Sequence, residues 1–356
     1  MKGLLLAGGH GTRLRPLTFT GNKHMLPIGN KPMILYGLEH LIKAGMNEIG
    51  VVLGPINEDI KSFLGDGARF GVNIAYIDQP EPKGLAHAIA MSEGFLRDEP
   101  FAMYLGDNLL KQGAEPLVKT FGRGDADCVI AVTQVKDPSR YGIVVFNQEK
   151  RIETLVEKPK QSISNWALIG VYVFNSKIFE AIRRIKPSWR GELEITDAIQ
   201  VLLKSGGRID VQFVQGWWKD TGRPEDLLEA NQLVLQDLQS LNEGAIEEGA
   251  ILTGIVRIGK HTKINKRTTI RGPVVIGEHC EIGPNTYVGS YTSIGNGSTI
   301  RNAELENSIL MEGAHIDCGK RIVDSLIGRN VTVIGAENSV PRGVKLVLGD
   351  MAHVQV

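Results

Sequence analysis

The sequence predicts two domains of different classes, an α/β domain with a mostly parallel sheet and, after it, a parallel β-helix. Two patterns carry this prediction. Short apolar runs alternate with amphipathic stretches over the first part of the chain, and a strict six-residue repeat replaces them after residue 244. The length of 356 residues also exceeds the usual size of one domain. We place the boundary so that residues 1–241 form the first domain and residues 242–356 the second.

The composition excludes several classes of protein. Basic residues number 40 and acidic residues number 40, so the formal net charge is zero and nothing indicates a nucleic-acid partner. We see neither an apolar stretch long enough to span a membrane nor a signal peptide. The three cysteines lack metal-ligand spacing, and their low, odd number predicts a cytoplasmic protein.

The first element is a buried strand over residues 1–7, and the loop after it predicts a phosphate site. The strand is followed by Gly8, Gly9 and Gly11. Glycines let backbone N–H groups approach an anion closely, and Thr12 and Arg13 then add a hydroxyl and a permanent cation. The spacing does not match the dinucleotide fingerprint, because Leu14 stands where that motif requires its third glycine. It does not match the P-loop either. The alternative is a tight turn with a solvated arginine.

Alternating strands and helices follow this loop. We predict strands over residues 49–53, 101–105 and 129–133, and helices over residues 32–44 and 85–95. Ligands bind at the carboxyl ends of the strands in such sheets. The glycine loop lies at one of these ends, and the sequence YLGDN at residues 104–108 lies at another.

A helix over residues 224–241 is predicted to join the two domains, because its apolar positions form a stripe. We favour a packed bridge over a partner-binding surface for it. We assign it to the first domain.

The six-residue repeat predicts the β-helix. Aliphatic residues recur at eight consecutive positions, namely Ile258, Ile264, Ile270, Ile276, Ile282, Val288, Ile294 and Ile300. The expected coil has about eighteen residues, with the aliphatic side chains inside and glycine permitting each bend. Because the open ends and flat faces of such a helix need cover, we predict an assembly role and a homo-oligomer.

Two carboxylates predict a metal site. Asp107 and Asp220 follow strand-like runs, and two carboxylates with substrate phosphates suit Mg²⁺. Each could instead be a turn or cap residue. Other polar residues are ambiguous when taken singly, namely Lys23, His24, Gln79, Glu157, Lys158 and Arg190.

Taken together, these motifs resemble the sugar nucleotidyltransferase family, and in particular its long thymidylyltransferases. The matching segments are LAGG at 6–9, GTR at 11–13, Lys23 with LP at 26–27, QP at 79–80, GLA at 84–86, GDN at 106–108, RYG at 140–142, EKP at 157–159, residues 190–197 and DTG at 220–222. The resemblance implies a Rossmann-like nucleotidyltransferase domain followed by a left-handed β-helix.

The resemblance also implies a role for each site residue. The nucleotide would contact Gly8, Gly9, Gly11, Thr12, Arg13, His24, Gln79, Gly84 and Asp107. The sugar phosphate would contact Asn108, Gly142, Glu157, Lys158, Leu168, Tyr172 and Arg190. Arg13, Lys23 and Lys158 would act in catalysis, and Asp107 and Asp220 would hold Mg²⁺.

The implied reaction joins dTTP and α-D-glucose 1-phosphate to give dTDP-glucose and pyrophosphate. His24 stands where short thymidylyltransferases carry glutamine, so the choice between dTTP and UTP stays open, as does the sugar. A second alternative adds acetyltransferase activity in the β-helix, with His261, His279 or His315 as base. A third is a regulatory relative without catalysis, which the retained charges disfavour.

Overall fold

A computed structural model describes residues 1–161, 163–335, 351 and 353–354. The chain divides into two compact units. The first consists of Met1–His10, Gly21–Met25 and Met33–Asp220, and the second of Gly11–Thr20, Leu26–Pro32 and the residues from Thr221 onward. Two short N-terminal segments therefore belong to the unit that also contains the β-helix.

Up to residue 220, strands and helices alternate. They are β1 (Lys2–Ala7), β2 (Pro27–Ile28), β3 (Lys31–Pro32), α1 (Met33–Lys43), β4 (Glu48–Leu53), α2 (Glu58–Leu64), β5 (Asn73–Asp78), α3 (Leu85–Met91), α4 (Glu93–Leu96), β6 (Phe101–Leu105), β7 (Asn108–Leu110), α5 (Glu115–Phe121), β8 (Cys128–Gln134), β9 (Gly142–Phe146), β10 (Ile152–Glu157), β11 (Trp166–Phe174), α6 (Lys177–Ile182), α7 (Ile195–Lys204), β12 (Ile209–Phe213) and β13 (Trp218–Asp220). Short 3₁₀ helices include Thr12–Leu14 and Lys23–Met25.

The main sheet of the first unit has a parallel core. Its strand order is β10-β9-β11-β6-β1-β4-β5, and β8 pairs with both β11 and β12. Strands β6, β1, β4 and β5 are parallel, as predicted, whereas β11 runs antiparallel to β6, β8 and β9. The sheet is therefore mixed beyond its parallel core, which the alternating pattern alone did not indicate.

Side chains of the central strand β1 alternate between two apolar clusters. Leu4 and Leu6 lie in one cluster, while Leu5 and Ala7 lie in the other. Because successive strand residues point to opposite faces, the sheet is covered by apolar side chains on both faces. This two-sided burial explains why β1 is a continuous apolar run.

One predicted helix is interrupted. The stretch over residues 85–95 forms α3 and α4, which meet at Ser92. The Ser92 hydroxyl donates to the Ala88 carbonyl oxygen at 2.8 Å. Such a bond from a serine to the carbonyl four residues earlier competes with regular helix geometry.

The second unit contains one helix and a series of short strands after residue 220. They are α8 (Pro224–Gln236), β14 (Leu241–Asn242), β15 (Ala245–Ile246), β16 (Ile251–Thr253), β17 (Val256–Ile258), β18 (Lys263–Ile264), β19 (Thr268–Arg271), β20 (Val274–Ile276), β21 (Glu281–Ile282), β22 (Thr286–Val288), β23 (Thr292–Ile294), β24 (Thr299–Arg301), β25 (Glu304–Glu306), β26 (Ile309–Leu310), β27 (His315–Asp317), β28 (Arg321–Val323), β29 (Leu326–Ile327) and β30 (Thr332–Ile334).

The predicted linker helix over residues 224–241 is too long. Helix α8 ends at Gln236, and Leu241 instead begins the first strand of the β-helix, where it pairs in parallel with Arg257. The apolar stripe continues past the end of the helix because Leu241 belongs to strand β14. In the structure α8 belongs to the second unit.

The strands after α8 form three parallel sheets, the architecture of a left-handed β-helix. Val256 pairs with Val274, so one early coil has eighteen residues. Ile294 pairs with Leu310, a coil of sixteen, which explains why the six-residue spacing of the aliphatic residues does not continue after Ile300. All eight aliphatic residues of the hexads are at most 1% exposed. The interior of the coil is therefore filled by the predicted side chains.

The expected role of glycine in the bends is wrong at most of its positions. Five glycines directly follow hexad aliphatic residues, namely Gly259, Gly277, Gly283, Gly289 and Gly295. Of these only Gly283 has a left-handed φ, of 94°, and residues such as His261 and His279 adopt that conformation instead. A Cβ on Gly259 would lie 2.7 Å from the Gly277 carbonyl carbon in the next coil. Glycine is needed there because neighbouring coils approach closely.

In the part of the chain that the structure describes, no helix combines the length and the apolar character needed to cross a bilayer.

Candidate active site

Two neighbouring strand ends bring the glycine loop and Asp107 to the same edge of the sheet. Strands β1 and β6 pair in parallel, and the Gly106 N–H donates to the Leu6 carbonyl oxygen at 2.9 Å. Gly8 and Gly9 leave the end of β1, while Asp107 leaves the end of β6. The predicted convergence of these motifs is therefore present in the first unit.

Lys23 fills the space between these two ends. Its ammonium forms an ion pair with the Asp107 carboxylate, and the two side chains are only 14% and 16% exposed. A Cβ placed on Gly9 would lie 3.2 Å from the Lys23 Nζ. A positive charge thus lies against the glycine backbone, where a phosphate is expected.

Asp107 is held in its ionised form. Burial, the largest single influence, would raise the pKa of this carboxyl, but the Lys23 ammonium and the hydrogen bonds from Lys23 and Asn108 act together with His24 to hold the pKa below its ordinary value. The Asn108 amide also donates to Asp107 Oδ1 at 3.2 Å. A carboxylate at neutral pH can bind a cation.

His24 packs beneath this pair. Its ring is 2% exposed, and its Nδ1 and backbone N–H both donate to Asn22 Oδ1, at 2.6 and 3.0 Å. Burial, assisted by the Lys23 charge, lowers the pKa of His24 to about 3, so the ring is neutral at neutral pH. Its Cδ2 would lie 3.0 Å from a Cβ on Gly106. The ring thus lies under the end of β6, and contact with the base stays a prediction.

Gln79 lies against Gly8, and Gly84 lies against Gln79. The Gln79 side-chain amide donates to His87 Nδ1 at 3.0 Å and to the Gly84 carbonyl oxygen at 3.3 Å. Gln79 Oε1 would lie 2.8 Å from a Cβ on Gly8. Gly84 has a φ of 102°, and a Cβ there would lie 2.4 Å from the Leu193 carbonyl oxygen. Only glycine fits this position.

A cavity of about 170 Å³ gathers most of the predicted sugar-phosphate and metal residues. The predicted residues that line it are Asp107, Asn108, Gly142, Glu157, Lys158, Leu168, Tyr172 and Asp220. Arg190 is not among the lining residues, but its guanidinium lies 3.8 Å from the Glu157 carboxylate. The cavity lies within the first unit.

Glu157 is the central acceptor of this cavity. Thr196 donates its hydroxyl hydrogen to Glu157 Oε2 at 2.6 Å, and Lys158 Nζ lies 3.8 Å from Oε1. Burial raises the pKa of Glu157, while the Thr196 hydrogen bond opposes this rise. A Cβ on Gly142 would lie 2.9 Å from Glu157 Oε2. The glycine therefore leaves the room that the Glu157–Thr196 pair occupies.

Arg190 is surrounded by carboxylates. Its guanidinium lies 2.6 Å from Glu192 and 3.3 Å from the buried Glu194, in addition to the contact with Glu157. The three acidic groups fix its position at the side of the cavity.

Sequence reasoning missed several cavity residues. Trp218 donates its indole N–H to Asn108 Oδ1 at 2.7 Å, and its ring meets that of Tyr141 edge-on with centroids 5.4 Å apart. Trp218, Tyr141 and Thr196 all line the cavity. Tyr141 and Thr196 lie within the segments 140–142 and 190–197, and Trp218 lies two residues before Asp220, so their neighbours were the only signal available for them.

The residues present fit a Mg²⁺ ion bound together with substrate. Asp220 lies opposite Asn108, the residue after Asp107, in the β13–β7 pair. The carboxylates of Asp107 and Asp220 therefore border the same cavity. Among the described residues, no group of three or more His, Cys, Asp or Glu side chains could hold a metal. Two carboxylates completed by phosphate oxygens and waters match the usual binding of Mg²⁺.

The remaining phosphate-loop residues belong to the second unit. Gly11 has a φ of 63°, and its carbonyl oxygen accepts the Thr18 hydroxyl at 2.8 Å. Thr12 and Arg13 are exposed in the 3₁₀ helix that follows. Arg13 Nη2 would lie 3.1 Å from a Cβ on Gly222, which follows Asp220 by two residues.

Histidines of the β-helix lie at its surface. His261 and His279 are exposed at successive coil corners, with stacked rings whose centroids are 4.8 Å apart. His315 is half-buried in β27.

Comparison with known proteins identifies families and relatives that match this chain. The nucleotidyl transferase family model matches residues 2–237, and the GMPPB C-terminal domain model matches residues 270–356. The low-salt glycan biosynthesis nucleotidyltransferase Agl11 of Haloferax volcanii is 46% identical over the whole of both chains. A glucose-1-phosphate thymidylyltransferase of Streptomyces antibioticus is 43% identical over 100% of this chain and 99% of its own.

A solved structure adds a view of the fold. The structure of a UDP-glucose pyrophosphorylase complexed with UDP-glucose matches 66% of this chain and 98% of its own, with a TM-score of 0.61 and 30% identity.

Proposed function

The chain belongs to the nucleotidyl transferase family, and on that premise we propose that it makes dTDP-glucose and pyrophosphate from dTTP and α-D-glucose 1-phosphate, with Mg²⁺. One observation carries the proposal: a single cavity unites Asp107 and Asp220 with Glu157 and Lys158. It thereby joins groups suited to phosphates and a divalent cation with groups suited to a sugar phosphate.

The reaction needs no general base. A phosphate oxygen of the sugar 1-phosphate, already anionic near neutral pH, attacks the α-phosphorus of the nucleotide. A new P–O bond forms, the bond to the oxygen that bridges to the β-phosphorus breaks, and pyrophosphate leaves with that electron pair. The obstacle is repulsion between two anions, so catalysis depends on alignment and charge neutralisation.

Three cations of this chain would neutralise that charge. Lys23 lies against the Gly9 backbone and would contact the triphosphate together with Arg13. Lys158 lines the cavity and would contact the phosphate of the sugar. The Lys158 N–H donates to the Tyr141 carbonyl oxygen at 3.0 Å, which fixes the backbone from which its side chain extends.

Asp107 and Asp220 would hold Mg²⁺. When bound, the ion neutralises charge on the phosphates. The Asp107 carboxylate, which also contacts the Lys23 ammonium, would supply an anionic oxygen to the ion.

Recognition of the sugar would depend on Glu157. As a carboxylate it accepts hydrogen bonds from hydroxyl groups, and Thr196 and Arg190 limit the directions in which it can turn. Glucose suits such a site, and other hexose phosphates are the alternative to test.

The choice of base is the finest part of the proposal. Gln79 and Gly84 lie beside Gly8, where a pyrimidine edge would meet them. dTTP and UTP differ by one methyl group, which in an apolar pocket gives about 10–200-fold discrimination. We expect dTTP to be preferred, UTP to be tolerated and purine nucleotides to be poor substrates.

A pyrophosphate-release panel tests this function. The full-length protein is assayed with each of dTTP, UTP, ATP and GTP against glucose, galactose, mannose and N-acetylglucosamine 1-phosphates, with Mg²⁺ and with excess chelator. We expect the highest kcat/KM for dTTP with glucose 1-phosphate, and no turnover with chelator. Faster turnover of a purine nucleotide, or full activity in chelator, would refute it.

The β-helix is proposed to serve assembly rather than a second reaction. Its first coil exposes Leu241, Ile246 and Ile251, the last at 58%, which a second copy of the chain would cover. Light scattering on the eluted protein should give a multiple of the 38.9 kDa chain mass. A monomer, or acetyl transfer from acetyl-CoA to an amino-sugar phosphate that depends on His261, His279 or His315, would contradict this assignment.

A further inference from the structure

A fully buried asparagine connects three segments of the second unit. Asn231 of α8 is 0% exposed. Its Oδ1 accepts hydrogen bonds from the Gly29 N–H at 2.9 Å and from the Ser293 hydroxyl at 2.7 Å. Its Nδ2 donates to the Tyr291 carbonyl oxygen at 2.9 Å. One side chain therefore ties the β2–β3 hairpin, α8 and the β-helix together.

The hairpin has a second contact with the β-helix. The Asn30 side-chain amide donates to the Ile294 carbonyl oxygen at 2.6 Å, and Asn30 has a left-handed φ of 62° at the hairpin turn. Ile28 of the same hairpin is fully buried. The hairpin is thus held at its turn by two asparagines that act on adjacent residues of one strand, β23.

The other N-terminal segment of this unit also meets the β-helix. A Cβ on Gly328, which follows strand β29, would lie 3.8 Å from Leu17 Cδ2. Leu14 in the same segment is 1% exposed, and Thr18 closes the loop on Gly11. The segment Gly11–Thr20, which carries Arg13, is therefore packed within this unit.

These two segments flank Lys23 in the sequence. Gly11–Thr20 ends three residues before Lys23, and Leu26–Pro32 begins three residues after it. Of the cations proposed to neutralise the triphosphate, Arg13 therefore belongs to one of these segments, and Lys23 lies between the two segments in the sequence. A displacement of reacting groups by about 1 Å can cost about 100-fold in rate.

We propose that Asn231 is a positioning residue for nucleotidyl transfer, through which the β-helix holds the hairpin segment Leu26–Pro32, which begins three residues after Lys23 in the sequence. This inference rests on the proposed function for its readout. Asn231 touches neither substrate in this account; it acts through the Gly29 N–H, six residues beyond Lys23. The β-helix then supports nucleotide binding in addition to assembly.

Two variants and one matched control test this role in the full-length protein. Asn231→Ala removes all three hydrogen bonds. Asn30→Gly removes the second contact of the hairpin, and glycine accepts the left-handed φ without strain. The control is Asn265→Ala, because Asn265 is also a buried asparagine, and it bonds to Gly283 and Glu281 within the β-helix, away from the hairpin.

The measurement compares kinetics with thermal stability, using the nucleotide and sugar phosphate that the wild type turns over fastest. We expect Asn231→Ala to lower kcat/KM for the nucleotide by about 10- to 100-fold, through both KM and kcat. Asn30→Gly should cause a smaller loss of the same kind. The KM for the sugar phosphate should change less than twofold in both variants. Asn265→Ala should lower the Tm but leave every kinetic constant within about twofold.

Each outcome decides the question. Nucleotide kinetics of Asn231→Ala and Asn30→Gly that match those of Asn265→Ala would overturn the positioning role, while the proposed function would stand. A wild type without turnover on any pair would instead refute the proposed function. If Asn231→Ala does not fold, Asn30→Gly decides alone, because its backbone conformation is preserved.

Discussion

Two ion pairs, one from each region of this molecule, differ in burial and therefore in the energy that they contribute. The Lys23–Asp107 pair lies in the first unit with side chains 14% and 16% exposed, whereas the Arg301–Glu281 pair of the β-helix is 42% and 40% exposed. Water screens the second pair, so it contributes little energy, while the first acts in a drier environment. The comparison indicates that the buried pair influences the chemistry of the first unit, whereas the exposed pair affects only the surface of the β-helix.

Glycines differ between the regions in the same way. A Cβ on Gly142 would meet side-chain atoms, 2.5 Å from Thr196 Oγ1, whereas a Cβ on Gly259 would meet the backbone of the next coil at 2.7 Å. The first glycine makes room for a functional pair, and the second for close stacking of coils. Equivalent substitutions should therefore affect kinetics in one region and stability in the other.

Loss of a carboxylate proposed to hold Mg²⁺ should give the largest effect. We expect Asp220→Asn to reduce kcat by about 10³-fold, because charge stabilisation of a transition state is commonly worth that much per group. The fold should survive, since asparagine preserves the shape of the side chain. Pyrophosphate release with and without added Mg²⁺ measures the effect, with Glu281→Gln in the β-helix as control. A near-normal, Mg²⁺-dependent rate in Asp220→Asn would refute the assignment.

Paired glycine substitutions test whether glycines of the first unit affect kinetics and those of the β-helix affect stability. Gly142→Ala should raise the KM for the sugar phosphate by about 10-fold, a value within the range for a modest change of pocket shape. Gly259→Ala should lower the free energy of unfolding by about 1–3 kcal/mol, the usual cost of overpacking, with little change in KM. Steady-state kinetics and denaturant melts on both variants distinguish the two effects. The reverse assignment of effects would contradict the account.

The pH dependence of sugar binding should report on Glu157. Because burial raises its pKa, Glu157 takes up a proton at a higher pH than an ordinary glutamate, and the KM for the sugar phosphate should rise several-fold as the pH falls. The substrate phosphate itself titrates near pH 6, as phosphate monoesters do. In Glu157→Gln the KM should still vary with pH through the substrate phosphate, but the variation caused by the Glu157 carboxyl should be lost. Comparison of the two pH profiles therefore separates the effect of the substrate from that of Glu157. Identical profiles would exclude Glu157.

Glu157 should lower the stability of the protein at neutral pH, although it is proposed to strengthen sugar binding. Since the pKa of Glu157 is higher in the folded state than in the unfolded state, its contribution to stability is lost as the pH rises through the folded value. Glu157→Gln should therefore raise the Tm at neutral pH while it weakens sugar binding. Thermal melts at two pH values check this, and a lower Tm of the variant at neutral pH would speak against the assignment.

The exposed pair of the β-helix should give the smallest effect. We expect Arg301→Ala to change the free energy of unfolding by less than about 1 kcal/mol, as is typical of surface ion pairs. Nucleotide kinetics should be unchanged. A larger loss of stability, or any loss of turnover beyond twofold, would show that charge on this surface matters more than its exposure indicates.

Sequence patterns predicted the β-helix in more detail than the active site, for a physical reason. Each hexad aliphatic fills the same interior, so the period alone located all eight buried residues. The apolar pattern could not separate Leu241 as a strand residue from a helical one, because its spacing fits the helical stripe as well as the first strand. It also could not distinguish a glycine in a bend from one required by the next coil.

The active site depends on contacts between distant segments. Strand ends predicted that Asp107 and the glycine loop would converge, and the parallel β1–β6 pair bears this out. Thr196 and Trp218 carry no local signal of their own, since their partners Glu157 and Asn108 are 39 and 110 residues away. The burial of His24 beneath Gly106 likewise results from tertiary packing.

A competition assay tests the central claim most directly. Equimolar dTTP and UTP are incubated together with limiting glucose 1-phosphate, Mg²⁺ and the full-length protein, and the nucleotide sugars formed are quantified by mass spectrometry. We expect dTDP-glucose to exceed UDP-glucose by about 10- to 200-fold, the discrimination that one methyl group supports. An excess of UDP-glucose, or the absence of any nucleotide sugar, would contradict the proposed function.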